Sequence, residues 1–197
     1  MRQALVFVGF GALVILVGLV IVNQRFAATE HTRDGILVPM ATSSLSLTSS
    51  AFKDGTSIPA HYTCDGKEAS PPLTISGAPA GTKTFALIVE DPDVPKQILP
   101  AGVFLHWLVF NIPASISELL ESAQVGVPGA NSAGKNGYTG PCPPPQYEPS
   151  EHRYIFTLYA LDAELPLKAG ASKDDVVRAM QSHVLGQTQF VGRYQRK

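Results

Sequence analysis

The sequence predicts a mainly β protein, a β-sandwich carrying one peripheral helix, set behind a single N-terminal membrane span. Three observations carry that expectation. Sixteen prolines and seventeen glycines, with only 16% charged residues, describe a loop-rich β chain rather than a helical bundle. Short apolar runs closed by Pro or Gly recur from Leu45 to Leu161, and one amphipathic helical pattern follows them. Ahead of both, Ala4 to Val22 is an uninterrupted uncharged, mostly apolar run, and a spanning helix takes ~20 residues.

Arg2 precedes the span and Asn23-Gln24-Arg25 ends it. A cleaved signal has a shorter apolar core, ~7–15 residues, with small residues ahead of the cut. A cut after Ala27 or Ala28 puts Arg25 or Phe26 at position −3. The expectation is therefore an uncleaved anchor within residues 1–28, with the domain on the extracytoplasmic side of the cell membrane; secretion after signal cleavage is the alternative. The Thr/Ser-rich residues 29–44 read as a tether, and 45–197 as the domain.

Within the domain, Leu45–Phe52 alternates partially and predicts a first strand, and Asp54-Gly55 a turn. Leu73–Ile75 is a short strand, followed by a turn at Pro79-Ala80-Gly81-Thr82. Two runs, Phe85–Val89 and Phe104–Ile112, are the most strongly β-forming of the chain and predict buried strands. Ala114–Ser122 has Ser115 as a cap with Glu118 three residues on, which predicts a brief helix. Residues 126–146 form a long glycine- and proline-rich loop, and Arg153–Leu161 is the next strand. The helical pattern spans Lys168–Gln189, with Ser172 as N-cap, Asp174 and Asp175 at the positive end, and a Val176, Val177, Met180, Val184 stripe. Within it, His183 reads as a partly buried structural histidine.

Polar chemistry gathers at the ends of the apolar runs. Glu90-Asp91-Pro92-Asp93 closes one and His106-Trp107 opens the next. Two readings stand: a rigid pocket rim of acids and imidazole, or a plain turn in which the carboxylates accept from nearby backbone N–H groups. A net charge of −1 with scattered cations excludes an electrostatic case for nucleic acid. Gly129 to Asn136 nearly fits a phosphate-binding loop, but Asn136 stands where a hydroxyl is needed, and Pro128 stands where a strand should arrive. The serine-elbow and zinc-helix hydrolase signatures are absent. Asp91, Asp93, His106 and His152 have the ligand types of a mixed metal site, yet their spacing specifies none, and neither metal nor cofactor is expected. Cys64 and Cys142 lie in polar loops of an exported chain, where a disulfide persists; two buried free thiols are the other reading.

Taken together, Asp91-Pro92-Asp93-Val94-Pro95, His106-Trp107, Gly140-Pro141-Cys142-Pro143-Pro144 and His152-Arg153-Tyr154 resemble, in this order, the phosphatidylethanolamine-binding proteins. Tyr62-Thr63-Cys64-Asp65-Gly66, Ser70-Pro71-Pro72-Leu73 and Tyr159-Ala160-Leu161-Asp162 resemble their bacterial and archaeal, Raf-kinase-inhibitor-like branch. The likeness covers roughly Leu45 to Arg196. It implies a two-sheet antiparallel β-sandwich with a small anion pocket built from Asp91, Asp93, His106, Gly140, Pro141, His152 and Tyr154. A charged His106 or His152, the Tyr154 hydroxyl and a backbone N–H beside Gly140 would donate, with the aspartates either orienting His106 and favouring its protonated form or accepting from a protonated phosphate oxygen. It also implies that Cys64 and Cys142, on loops flanking the pocket, are bonded. Two departures stand out, the insert Lys96–Val103 and the Gln146–Glu151 spacer. The expected function is a membrane-tethered, non-enzymatic module for a small phosphate-type anion or phospholipid headgroup. The alternatives are an inhibitor or scaffold docking a protein partner such as a protease, and then a hydrolase.

Overall fold

Among the described residues every pair of strands runs antiparallel, and in the body of the protein the pairs assemble into two sheets. The computed structural model describes residues 32–33, 36–37 and 44–196. The expected membrane span and most of the tether lie outside the described residues. Among the described residues no helix is long and apolar enough to cross a membrane. Two short strands, β1 (Thr32–Arg33) and β2 (Ile36–Leu37), pair with each other in a unit separate from the body.

In the body, β3 (Ser46–Thr48), β4 (Leu73–Ser76) and β7 (Glu118–Leu119) make a three-stranded sheet in the order β3-β4-β7. The larger sheet runs β10-β9-β5-β6-β8, from β5 (Thr84–Asp91), β6 (Phe104–Pro113), β8 (Val127–Pro128), β9 (Glu151–Leu161) and β10 (Val184–Gln195). Phe85, Leu87 and Val89 of β5 face the small sheet and share a core with Leu47, Leu73, Ile75 and Leu119 there. Ala86 and Ile88 face the other way, in a second core with Leu165 and with Val176 and Met180 of α1 (Lys173–Met180). A sheet covered on both faces buries both sides of its central strands, so β5 and β6 read as nearly continuous apolar runs. Strand β4, with one face in solvent, keeps the buried–exposed alternation.

Three expected elements differ. The first strand is only Ser46–Thr48 of the anticipated Leu45–Phe52, because Ser49 turns to donate to the Pro72 carbonyl at 2.7 Å. The brief helix over Ala114–Ser122 does not form: Glu118 and Leu119 pair with β4 and send Leu119 into the core. The long helix over Lys168–Gln189 is confined to α1, capped by Ser172, whose side chain accepts from the Asp175 N–H. Beyond α1 the chain enters the longest strand, β10, which a bulge carries past Gly186 and which pairs along β9. Alternating Phe190, Gly192 and Tyr194 are its signal, and tertiary pairing with β9 overrides the helical stripe. His183, at the junction, bonds Asp162 at 2.8 Å and is part-exposed.

Candidate functional site

Strand alternation would put His106 on the face of Leu108 and Phe110, opposite Trp107. The register overrides that. Val89 pairs with Trp107 while its neighbour Glu90 pairs with Leu105, so His106 is the extra residue of a bulge. Leu105, Leu108 and Phe110 lie in the helix-side core, whereas the His106 ring meets Tyr154, a residue of the inter-sheet core, at 5.1 Å in an edge-on arrangement. One inserted residue thus turns the imidazole to the side where Asp91, His152 and Tyr154 lie.

There the sheet end encloses a cavity of about 260 Å³. Asp91, His106, His152, Thr139 and Gly140 line its polar part, and Phe104, Val94, Ile98, Pro143 and Pro144 its apolar walls. A larger cleft of about 460 Å³ beside Trp107 and Tyr138 carries no imidazole, so the chemistry belongs to the smaller one.

Asp91 satisfies both readings of its motif. Oδ1 accepts the Asp93 N–H at 2.8 Å, the expected turn, while Oδ2 accepts from His152 Nδ1 at 2.6 Å. The carboxylate therefore orients His152, not His106 as anticipated. His152 and Tyr154 are each 1% exposed, and neither His152 Nε2 nor the Tyr154 hydroxyl has a partner. Burial pushes the Tyr154 phenol far up, so it stays an O–H donor. His106 is oriented instead by the Thr139 carbonyl, 2.7 Å from Nδ1. Burial lowers its pKa, against the smaller opposing pull of the Thr139 carbonyl and of Asp91. The imidazole is neutral near pH 7, contrary to the expected protonated form.

The remaining expected residues sit differently. Asp93 is turned from the cavity and clamps Arg153, accepting from Nη2 at 2.6 Å and Nε at 2.8 Å, and Arg153 holds its carboxyl below the usual range. Gly140 lines the cavity, but its N–H is committed to Glu68 at 3.3 Å, a residue of the neighbouring cleft. A Cβ there would fall 2.9 Å from the Tyr62 carbonyl oxygen, so only glycine fits without movement. Pro141 lies outside the lining, its carbonyl accepting from Cys64 N at 3.1 Å. Cys64 and Cys142 are bonded, with Cα atoms 5.4 Å apart, and tie the two loops together at the mouth. With prolines at 141, 143 and 144, Cys142 has the only amide N–H of that wall, and the covalent link adds to the backbone bond from Cys64 N to the Pro141 carbonyl.

Sequence reading missed the residues that support the site. Asn131, in the glycine-rich loop that fails as a phosphate loop, donates through Nδ2 to the Gly137 carbonyl at 2.9 Å and to Thr139 Oγ1 at 3.0 Å. Its Oδ1 accepts from Ala133 and Lys135, so one buried amide fixes the segment that orients His106. The insert after Asp93 supplies Ile98, 46% exposed, to the cavity mouth. Among the described residues no group of three or more His, Cys, Asp or Glu is arranged to hold a metal ion.

Comparison with known proteins gives a consistent result. The phosphatidylethanolamine-binding protein family profile matches residues 48–195. A UPF0098 protein of Chlamydia pneumoniae is 44% identical over 153 residues, covering 77% of this chain and 99% of its own. Another, from Methanothermobacter thermautotrophicus, is 45% identical over 159 residues, covering 77% of this chain and 99% of its own. A crystal structure described as a putative phosphatidylethanolamine-binding protein homologue from Chlamydia trachomatis superposes with a TM-score of 0.75 at 41% identity, over 79% of this chain and 100% of that one. YbcL of E. coli, described as a member of the mammalian family, gives 0.69 at 30% identity over 78% and 99%.

Proposed function

The chain belongs to the phosphatidylethanolamine-binding protein family, and on that premise we propose that it is a non-enzymatic binding module for a small phosphate-type anion or phosphorylated headgroup. The observation that carries this is His152 Nε2, a buried polar atom without a partner on a residue that lines the cavity; Tyr154, whose hydroxyl is also unpartnered, lies behind the lining against the His106 ring. A buried polar atom without a partner costs about 1–3 kcal/mol. Beside the oriented ring of His106, that atom makes a cavity that a hydrogen-bonding ligand stabilises. Binding rather than turnover is favoured because the one thiol of the lining, Cys142, is held in the disulfide. Residues 4–22 anchor the module to the cell membrane, with the body on the extracytoplasmic side.

Thermal unfolding with inorganic phosphate tests the reading. At a hundred times Kd, phosphate should stabilise the protein by about 2.7 kcal/mol, a rise of roughly 5–10 °C in Tm for a body of this size. His152→Ala should lose that rise. If phosphate stabilises no more than chloride at equal ionic strength, or if the variant responds like the parent, the cavity is not the site. The anchor is checked separately: a mature N-terminus beyond Val22, on soluble protein, overturns it.

A further inference from the structure

We infer that the cleft beside Trp107 and Tyr138 is a second binding site, shaped for a small primary ammonium ligand that carries a neutral acceptor oxygen, such as an amino-acid amide. The cleft shares no lining residue with the cavity at the sheet end, so the inference is independent of the phosphate reading.

At about 460 Å³ the cleft falls within the roughly 300–1,000 Å³ of small-molecule sites. Its lining holds one ionised group, the Glu68 carboxylate, and no lysine, arginine or histidine. Tyr138 adds no second charge. Burial pushes its phenol far up, and its O–H donates to the Tyr62 carbonyl at 2.8 Å. Glu68 forms no ion pair among the described residues. Its one hydrogen bond comes from Gly140 N to Oε1 at 3.3 Å, which leaves Oε2 to a ligand. Glu68 and Ser122, both in the lining, are two of the three non-glycine residues at positive φ among those described, at 57° and 58°. Backbone held in that region concentrates at ligand sites.

Two buried polar groups complete the pattern. Trp107 and Ser70 are each 5% exposed and both line the cleft. Neither the indole N–H nor the Ser70 hydroxyl has a partner among the described residues, yet neither is sealed from the surface as the Tyr154 hydroxyl is. Both open into the cleft. The indole is fixed by its edge-on contact with Tyr138, at 5.5 Å between centroids. A carboxylate and a hydroxyl accept from an ammonium, whereas an indole N–H only donates, so the ligand must bring an acceptor of its own. Val109 and Val125 offer its side group an apolar wall. A free amino acid fails on charge, because its carboxylate would enter a lining whose only charge is negative. An acylated amine fails for the opposite reason, having no charge for Glu68 to meet.

Trp107 is the only tryptophan of the chain, so its fluorescence reports on the cleft directly. Leucinamide, titrated into the purified protein at pH 6.5, below the α-amino pKa of about 7.7–8.0, should shift that emission to saturation. Leucine and N-acetyl-leucinamide should each bind about tenfold or more weaker, the scale of one charge-assisted hydrogen bond. Glu68→Gln keeps an acceptor oxygen for Gly140 N, so its Tm should match the parent's. The variant should weaken leucinamide by the same factor and leave N-acetyl-leucinamide as it was. The comparison of three ligands on the unaltered protein stands whatever the variant's stability. Equal affinity for the three, unchanged leucinamide affinity in Glu68→Gln, or no saturable response to leucinamide in emission or calorimetry overturns the inference.

Discussion

Replacing Asp91 by Asn tests the buried core of the site with one atom changed. The carboxylate accepts twice, from Asp93 N at 2.8 Å and from His152 Nδ1 at 2.6 Å, the latter between side chains only 4% and 1% exposed. Asn keeps the turn bond through Oδ1 but presents an amide N–H₂ to a nitrogen that was donating. The imidazole must then move its hydrogen to Nε2, and a charge-assisted bond becomes a neutral one. Charge-assisted bonds contribute about 1.5–3 kcal/mol, and neutral ones about 1. Asp91→Asn should therefore lose about 1–2 kcal/mol, and Asp91→Ala, which strands the imidazole, about 3–5 kcal/mol. Urea unfolding of the oxidised protein at pH 7, read as midpoint shifts at constant slope, measures both. A cycle combining Asp91→Ala, His152→Ala and the double variant should give a coupling of about 2 kcal/mol. Coupling below ~0.5 kcal/mol would refute the buried pair as an energetic unit.

Three further outcomes are expected. Burial lowers the His106 pKa, so its contribution to stability is complete above the unfolded value of about 6.5 and falls away as pH drops below it; His106→Phe should flatten the urea midpoint between pH 7 and pH 5. Gly140→Ala puts a Cβ 2.9 Å from the Tyr62 carbonyl oxygen and 3.0 Å from Thr63 Cα, both backbone atoms, and should cost about 1–3 kcal/mol in thermal unfolding. Replacing both Cys64 and Cys142 with Ser opens a link spanning 78 positions and should cost about 2–5 kcal/mol by the same assay.

What sequence could read was what local pattern encodes. Phe85–Val89 and Phe104–Ile112 declared themselves through nearly continuous apolar content rich in β-branched and aromatic residues, because both faces of β5 and β6 are covered. The motif residues Asp91, His106, Gly140 and His152 do meet at one cavity. The losses are of the non-local kind. The bulge at His106 is fixed by its pairing with β5, which no alternation rule contains. Strand β10 hid behind a helical stripe until β9 offered it a partner. Asn131 looked like loop filler because its partners, Gly137 and Thr139, are brought to it only by the folded loop.

The proline wall has a consequence for how this protein will look to a spectrometer. Amide signals report only where an N–H exists, and from Pro141 to Pro144 Cys142 alone has one. Backbone exchange and relaxation measurements will be nearly silent on that side of the cavity. Its behaviour will be heard at the first amides beyond it, Thr139, which donates to the His106 carbonyl at 2.9 Å, and Gly140, which donates to Glu68 at 3.3 Å. These two protons sit at the junction of the wall and the imidazole. Carbon-13 labelling of the prolines would let the wall speak for itself.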